Sequence, residues 1–322
     1  MTMLKLDMPS DEVRRLYKEK FRPLIMKRIK GELKGRKISN AARDILLPSW
    51  NTATPDTSIL DKLLVSEPKD LKDVNDDLWT QLQNLCCWNR PTKKALKDVF
   101  DYEHLIDKSK SNSFWLAQQI GRNTCTYCNR LYTFTVIKGK GKNDKERVAR
   151  PTFDHWYGQS EYPLMSMSLF NLIPSCSICN SSVKTDVPFD IATHIHPYIH
   201  EAGHPNLEFM ASLTTDVPAK WTVEIHTAPG SKEEKTVDDM KLNDIYAYHG
   251  NLEVKDLMEF KDKYPDGYLK DLIDKVLKKS GGALTLADVY RMLFGTEIDD
   301  ALFLDRPLSK MKYDLLKKMG VV

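Results

Sequence analysis

Cys125-Thr-Tyr-Cys128, Phe153-Asp154-His155-Trp156, Asn171-Leu-Ile-Pro174 and Cys176-Ser-Ile-Cys179-Asn180 are the four pieces of sequence that decide how this chain is read. Two Cys-x-x-Cys pairs supply four soft thiolates, the full ligand set of a closed tetrahedral zinc site. One such pair is weak evidence, since redox dithiols share the spacing. Two pairs are far more specific, the alternative being four reduced thiols in an apolar core. The 47 residues between Cys128 and Cys176 exceed the roughly 15–20 of a plain zinc ribbon. A sizeable insert therefore lies between the pairs, and it carries Asp154 and His155.

Outward from this centre, 322 residues suffice for about two domains or one elaborated one. Lys and Arg total 48 against 45 Asp and Glu, a net charge of +3, so bulk charge does not mark a polyanion binder. Its distribution says more: basic residues outnumber acidic ones between Arg14 and Arg43, and Lys138–Arg147 is a second basic cluster. Clustered positive charge is the footprint of phosphate contacts, although a solvated face looks the same. No apolar run is long enough to span a bilayer and no signal-peptide pattern opens the chain, so a cytoplasmic protein with no membrane partner is expected. In a reducing compartment six cysteines point to metal ligation rather than disulfides. Cys86 and Cys87, flanked by Leu85 and Trp88, are expected to be buried thiols.

The first 120 residues read as helical. Ser10-Asp11-Glu12 is a helix start, followed by Val13, Leu16, Tyr17, Phe21, Leu24 and Ile25 at helical spacing, with Pro23 as a kink or boundary. Amphipathic stretches follow at Ile59–Leu64, Leu78–Leu85 and Ala95–Ile106. After Cys128 the pattern becomes β-like. Leu131–Ile137 is expected to pair with Arg147–Phe153 in a hairpin whose long tip is basic. Residues 185–235 mix prolines, histidines and short strands such as Trp221–Ile225, and helical periodicity then returns through Leu242–Leu257, Leu269–Leu277, Leu286–Phe294 and Arg306–Lys318. His194, His196, His200 and His204 fit no metal motif and are expected to be loop histidines.

Phosphodiester hydrolysis needs a base for the attacking water and a divalent cation to stabilise charge on the phosphate. A neutral His155 can be the base, and the carboxylate of Asp154 with the amide oxygen of Asn180 suits a hard cation such as Mg2+. Adjacent strand residues point to opposite sides, so Asp154 and His155 need a bend to serve one site. Each also has a plainer reading: a satisfied core histidine, a strand-end turn former, a cap on the second knuckle.

Taken in order, Cys125-x-x-Cys128, Asp154-His155, Asn171, Cys176-x-x-Cys179-Asn180 and Lys184 resemble the HNH (ββα-metal) endonucleases in their zinc-stabilised form. The resemblance covers residues 121–186. It implies an α+β, mainly helical fold: a helical region 1–120 for DNA or partner contacts, a zinc-stabilised ββα-metal core at 121–190, and a mixed then helical region 191–322. It implies His155 as general base, Asp154 and Asn180 as ligands of a catalytic cation, and Asn171 as a tether for the intervening loop. Cys125, Cys128, Cys176 and Cys179 would hold structural Zn2+. Asn180 stands where many members carry His, which leaves the preferred metal open. Double-stranded DNA is the expected substrate, with Lys138, Lys140, Lys142, Arg150 and Lys184 as phosphate contacts. Ile195–Tyr198, Leu242–His249 and Arg306–Lys310 are similar to features of longer bacterial HNH proteins of anti-phage defence, among them the Septu-type nuclease subunit, which implies an ABC-type ATPase partner. A non-catalytic zinc module that recognises nucleic acid or an effector subunit is the competing reading, and a Cys-x-x-Cys oxidoreductase a third.

Overall fold

Ser10 opens α1 (Asp11–Lys30) by accepting the Val13 N–H on its side chain, Asp11 and Glu12 occupy the first turn, and Gly31 closes it at φ 77°, a conformation that costs glycine little. The computed structural model describes the chain apart from residues 1–3, 34–36, 140–145, 186, 203–204, 265–266, 272–274, 276–284 and 322. Pro23 neither ends nor bounds α1 but lies inside it. Tyr17, Phe21, Ile25 and Ile29 form one buried face at four-residue spacing, and burying those side chains outweighs the single backbone bond the proline removes.

Against α1 pack α2 (Asn40–Leu46), α3 (Ser58–Val65), α5 (Lys93–Val99) and α6 (Lys110–Ile120), while α4 (Pro68–Gln83) packs on α2 and α3. The stretch expected as one helix over Ala95–Ile106 is divided: α5 ends at Val99 and a π-wound turn, Glu103–Asp107, follows. Cys86 and Cys87 are exposed rather than buried. They fall beyond the end of α4, in a surface turn where the Asn89 N–H donates to the Cys86 carbonyl at 2.8 Å; Leu85 packs against the core while Trp88 faces solvent.

The β structure consists of two-stranded antiparallel pairs. β1 (Val136–Lys138) pairs with β2 (Glu146–Ala149), with a bulge between Val136 and Ile137. β3 (Thr152–His155) pairs instead with β4 (Leu172–Ser175), in the register Asp154↔Ile173 and His155↔Leu172. The expected return strand Arg147–Phe153 is thus split, and Phe153 belongs to the second pair. Pro151 stands at the break; it has no N–H for a ladder and is suited to a strand start. Directly after β4 the chain turns into a helical segment over 177–184, π-wound across Cys179–Lys184. The local order is strand, strand, helix.

Beyond it, β5 (Leu207–Leu213) and β6 (Trp221–Thr227) form a hairpin in contact with α8 (Leu242–Ala247) and α12 (Ser309–Lys318). Between them in sequence run α7 (Lys232–Asp239), α9 (Lys255–Lys263), α10 (Tyr268–Asp271) and α11 (Leu286–Phe294). The helix expected over Leu269–Leu277 is described through α10 and at Lys275; residues 272–274 and 276–277 lie outside the described residues. Gly250 permits a close crossing, since a Cβ there would sit 1.9 Å from the Trp221 carbonyl oxygen. Buried apolar residues from Leu4 to Met319 form one connected core. The Tyr17 hydroxyl donates to the Met167 carbonyl at 2.9 Å, the Thr124 hydroxyl to Leu304 O at 2.7 Å and the Tyr246 hydroxyl to Cys128 O at 2.5 Å. Both flanking regions are bonded to the centre. The chain is mainly helical with small antiparallel sheets, an α+β arrangement.

Candidate metal centre and adjoining site

The first Cys pair sits on a tight knuckle. The Cys125 N–H donates to Leu131 O at 3.0 Å and the Asn129 N–H to Cys125 O at 2.9 Å. Asn129 has φ 45°, which asparagine tolerates better than most residues, and its side chain donates to Phe303 O and Arg306 O at 3.0 and 3.1 Å. The Thr126 hydroxyl binds Pro174 O at 2.7 Å, fastening this knuckle to β4. The second pair spans the end of β4 and the first helical turn, where the Cys179 N–H donates to Cys176 Sγ at 3.4 Å. The four sulfur atoms are buried and lie within 4.8 Å of one another.

Zn–S bonds of about 2.3 Å place tetrahedral sulfurs about 3.8 Å apart, so the cluster and its donor chemistry fit a structural zinc. Without a cation the four thiols conflict. Hydrogen bonds from Cys125, Cys128 and Cys179 pull the Cys176 thiol far below the usual thiol range, while burial pushes the Cys125 thiol well above it. A divalent cation removes the conflict by letting all four be thiolates. Among the described residues no other group of three or more His, Cys, Asp or Glu could hold a metal ion.

Beside the cluster, Asp154 on β3 is buried with two partners. The Tyr127 hydroxyl, from inside the first Cys pair, donates to Asp154 Oδ2 at 2.5 Å, and burial beside that carboxylate pushes the phenol well above its ordinary range. The Lys184 ammonium lies 3.2 Å from Asp154 Oδ2 and also donates to His155 O at 2.7 Å. Lys184 is only 2% exposed. Expected at phosphate, it points inward, because the buried carboxylate needs a counter-charge.

His155 turns the other way, as strand alternation requires. Its Nε2 is 3.0 Å from Ser166 O. A carbonyl only accepts, so Nε2 carries the proton in the neutral ring and Nδ1 keeps a lone pair. Tyr102 meets the imidazole edge-on at 4.5 Å between centroids. Burial pulls the His155 pKa down to about 4, so the ring is neutral at pH 7. The loop between β3 and β4 is held by Asn171, which is fully buried. Its Oδ1 accepts the Tyr157 N–H at 2.7 Å, and its Nδ2 donates to Tyr157 O and Met165 O at 3.1 Å each.

Asn180 is part-buried on the helical segment, four residues before Lys184. Among the described residues, no hydrogen bond joins its side chain to Asp154 or His155. Carboxylate and amide oxygens are suitable donors for a hard cation, but the charge of Asp154 is already answered by Lys184. Tyr127 and Tyr102 were missed in the sequence. Tyr127 had a readable signal, a hydroxyl placed between two ligands; Tyr102 had none.

The remaining basic residues divide. Arg150 donates to Asp107 Oδ1 at 2.6 Å and to Pro151 O at 2.7 Å, so it fastens the start of β3 to the turn before α6 rather than facing solvent phosphate. Lys138 is exposed on β1, with Glu146 at 3.9 Å, while Lys140 and Lys142 lie outside the described residues. The histidine-rich stretch is irregular but largely inward. His194 Nε2 pairs with Asp239 at 2.9 Å, His196 Nδ1 accepts the Tyr198 N–H, and His200 Nε2 donates to Leu6 O; His204 is outside the described residues. No helix among the described residues is long and apolar enough to cross a membrane. No protein-family model, no curated protein and no solved structure matches the chain.

Proposed function

We propose that the chain is an HNH-type endonuclease that hydrolyses phosphodiester bonds in DNA. The observation that supports this best is the order of elements about the cysteine cluster. The β3–β4 hairpin ends its first strand at His155, and a helix carrying Asn180 and begun by the second Cys pair follows at once. In this reading zinc at Cys125, Cys128, Cys176 and Cys179 locks hairpin to helix. His155 takes the proton of the attacking water at Nδ1, the nitrogen left free when Nε2 is held by Ser166 O. Asn171 fixes the loop that supplies that carbonyl. Asp154 and Asn180 are the residues that would hold a divalent cation, which when bound supplies charge stabilisation at the phosphate. A role in anti-phage defence beside an ABC-type ATPase rests on the resemblance of sequence alone.

The non-catalytic zinc module stays a second reading, favoured by the pairing of Asp154 with Lys184, which leaves that carboxylate satisfied without a cation. One substitution separates the two. His155→Ala is expected to abolish Mg2+-dependent nicking of plasmid DNA by at least about a hundredfold, with the circular dichroism spectrum and zinc content unchanged. Undiminished nicking by a contaminant-free preparation would remove His155 from the chemistry.

A further inference from the structure

The β1–β2 arm, taken with residues 132–135 that lead into it, exposes side chains that a folded chain ordinarily buries. Tyr132, Phe134 and Val136 fall on alternate positions of an extended segment and are 50%, 45% and 41% exposed, with Lys138 next in the same series. The two rings stack on each other at 4.5 Å between centroids and 19° between planes. Val148 of β2 adds a further exposed apolar group at 57%. Charge is concentrated in the same stretch of sequence. Between Arg130 and Arg147 six basic residues stand against two acidic ones, although the whole chain carries only +3. The rest of the molecule is therefore net negative.

We propose that this arm binds single-stranded nucleic acid, with unpaired bases stacking on Tyr132 and Phe134 and the basic residues answering the phosphates. Aromatic platforms beside positive charge are how proteins grip single strands without sequence preference. A duplex keeps its bases stacked inside and offers these rings nothing flat to meet, and a protein partner for the apolar face would have to accept the surplus positive charge. The arm also leads into the site: only Arg150 and Pro151 separate β2 from the strand that ends at His155. The binding holds whether or not the chain cleaves its ligand, so its failure and that of the nuclease reading are separate results.

The test is fluorescence anisotropy of the full chain in Mg2+-free buffer with three probes: a 20-nucleotide oligothymidylate, an abasic 20-mer of the same backbone, and a 20-base-pair duplex. Wild type is expected to bind the oligothymidylate at least tenfold more tightly than the abasic strand, and more tightly than the duplex. The Tyr132→Ala/Phe134→Ala variant should lose that base-dependent margin while its affinity for the abasic strand is kept. Phe134→Trp, which retains a stacking face, should preserve the margin, and it carries the test if the double variant fails to fold. Lys138→Glu should weaken both single strands in a salt-sensitive way. An unchanged margin in the double variant, equal binding of all three probes, or a concentration-dependent dimer abolished by the same substitutions would each overturn the proposal.

Discussion

His155 and His196 show how little a residue's type says before its surroundings are known. Both are neutral because burial disfavours the imidazolium, with pKa values pulled from 6.5 to about 4 and about 3. For His196 burial is the sole cause: Nδ1 accepts the Tyr198 N–H, and Nε2 has no partner among the described residues. As pH falls below about 6.5 the unfolded chain protonates these rings while the folded chain does not. The unfolded state then binds more protons, and stability is lost progressively until the folded pKa values are reached. Each pKa unit is worth about 1.4 kcal/mol, so a loss of several kcal/mol is expected between pH 6.5 and pH 4. Urea denaturation across that range measures it. His196→Asn keeps an acceptor for Tyr198 and should flatten the acid limb; an identical limb in that variant would show the titration lies elsewhere. At this scale the four zinc-type cysteines and the Asp154-His155 pair could be read from identity and spacing. The inward turn of Lys184 could not, because it depends on a carboxylate thirty positions away.

At the scale of elements, the strand–strand–helix unit is fastened from two sides. The cysteine cluster brings the knuckle against the start of the helix, where a bound zinc would pin the two, and the Tyr127–Asp154–Lys184 group joins knuckle, β3 and the end of that helix. Removing one member of a buried ion pair strands the other charge, at a cost of about 3–5 kcal/mol. Lys184→Met is therefore expected to lower unfolding stability by that amount. The Asp154→Asn/Lys184→Met double variant should recover part of it, because the stranded charge is gone. Additive losses in chemical denaturation would mean the two groups do not interact. The start of α1 was readable from its Ser10 cap. Strand partners were not. Residues 147–153 alternate well enough for one strand, yet the ladder divides at Pro151, and local pattern does not reveal which distant segment supplies the partner.

For the molecule as a whole, the central segment does not stand apart. The Ser168 hydroxyl binds Leu63 O in α3, Trp156 Nε1 donates to Ile195 O at 3.1 Å, and Leu308 N–H donates to Asn129 O at 2.6 Å. Cut out alone, residues 121–190 would expose these groups together with the apolar surface now covered by both flanks. That piece is expected to lack a cooperative thermal transition even with zinc added, whereas the full chain should melt in one. A sharp melt of the isolated segment would mean that zinc and the local hydrogen bonds suffice.

Sequence by itself determined the four soft ligands, the strong helical content at either end, and the Asp, His and Asn that follow one another through the centre. These are properties of composition, spacing and local period, which act over a few residues. Only the tertiary structure decided that Lys184 serves Asp154 rather than solvent, that His155 keeps its lone pair on Nδ1, and that Tyr132 and Phe134 remain uncovered. Each of those outcomes is set by which distant groups arrive within hydrogen-bond or van der Waals reach, and that proximity exists only once the chain has packed.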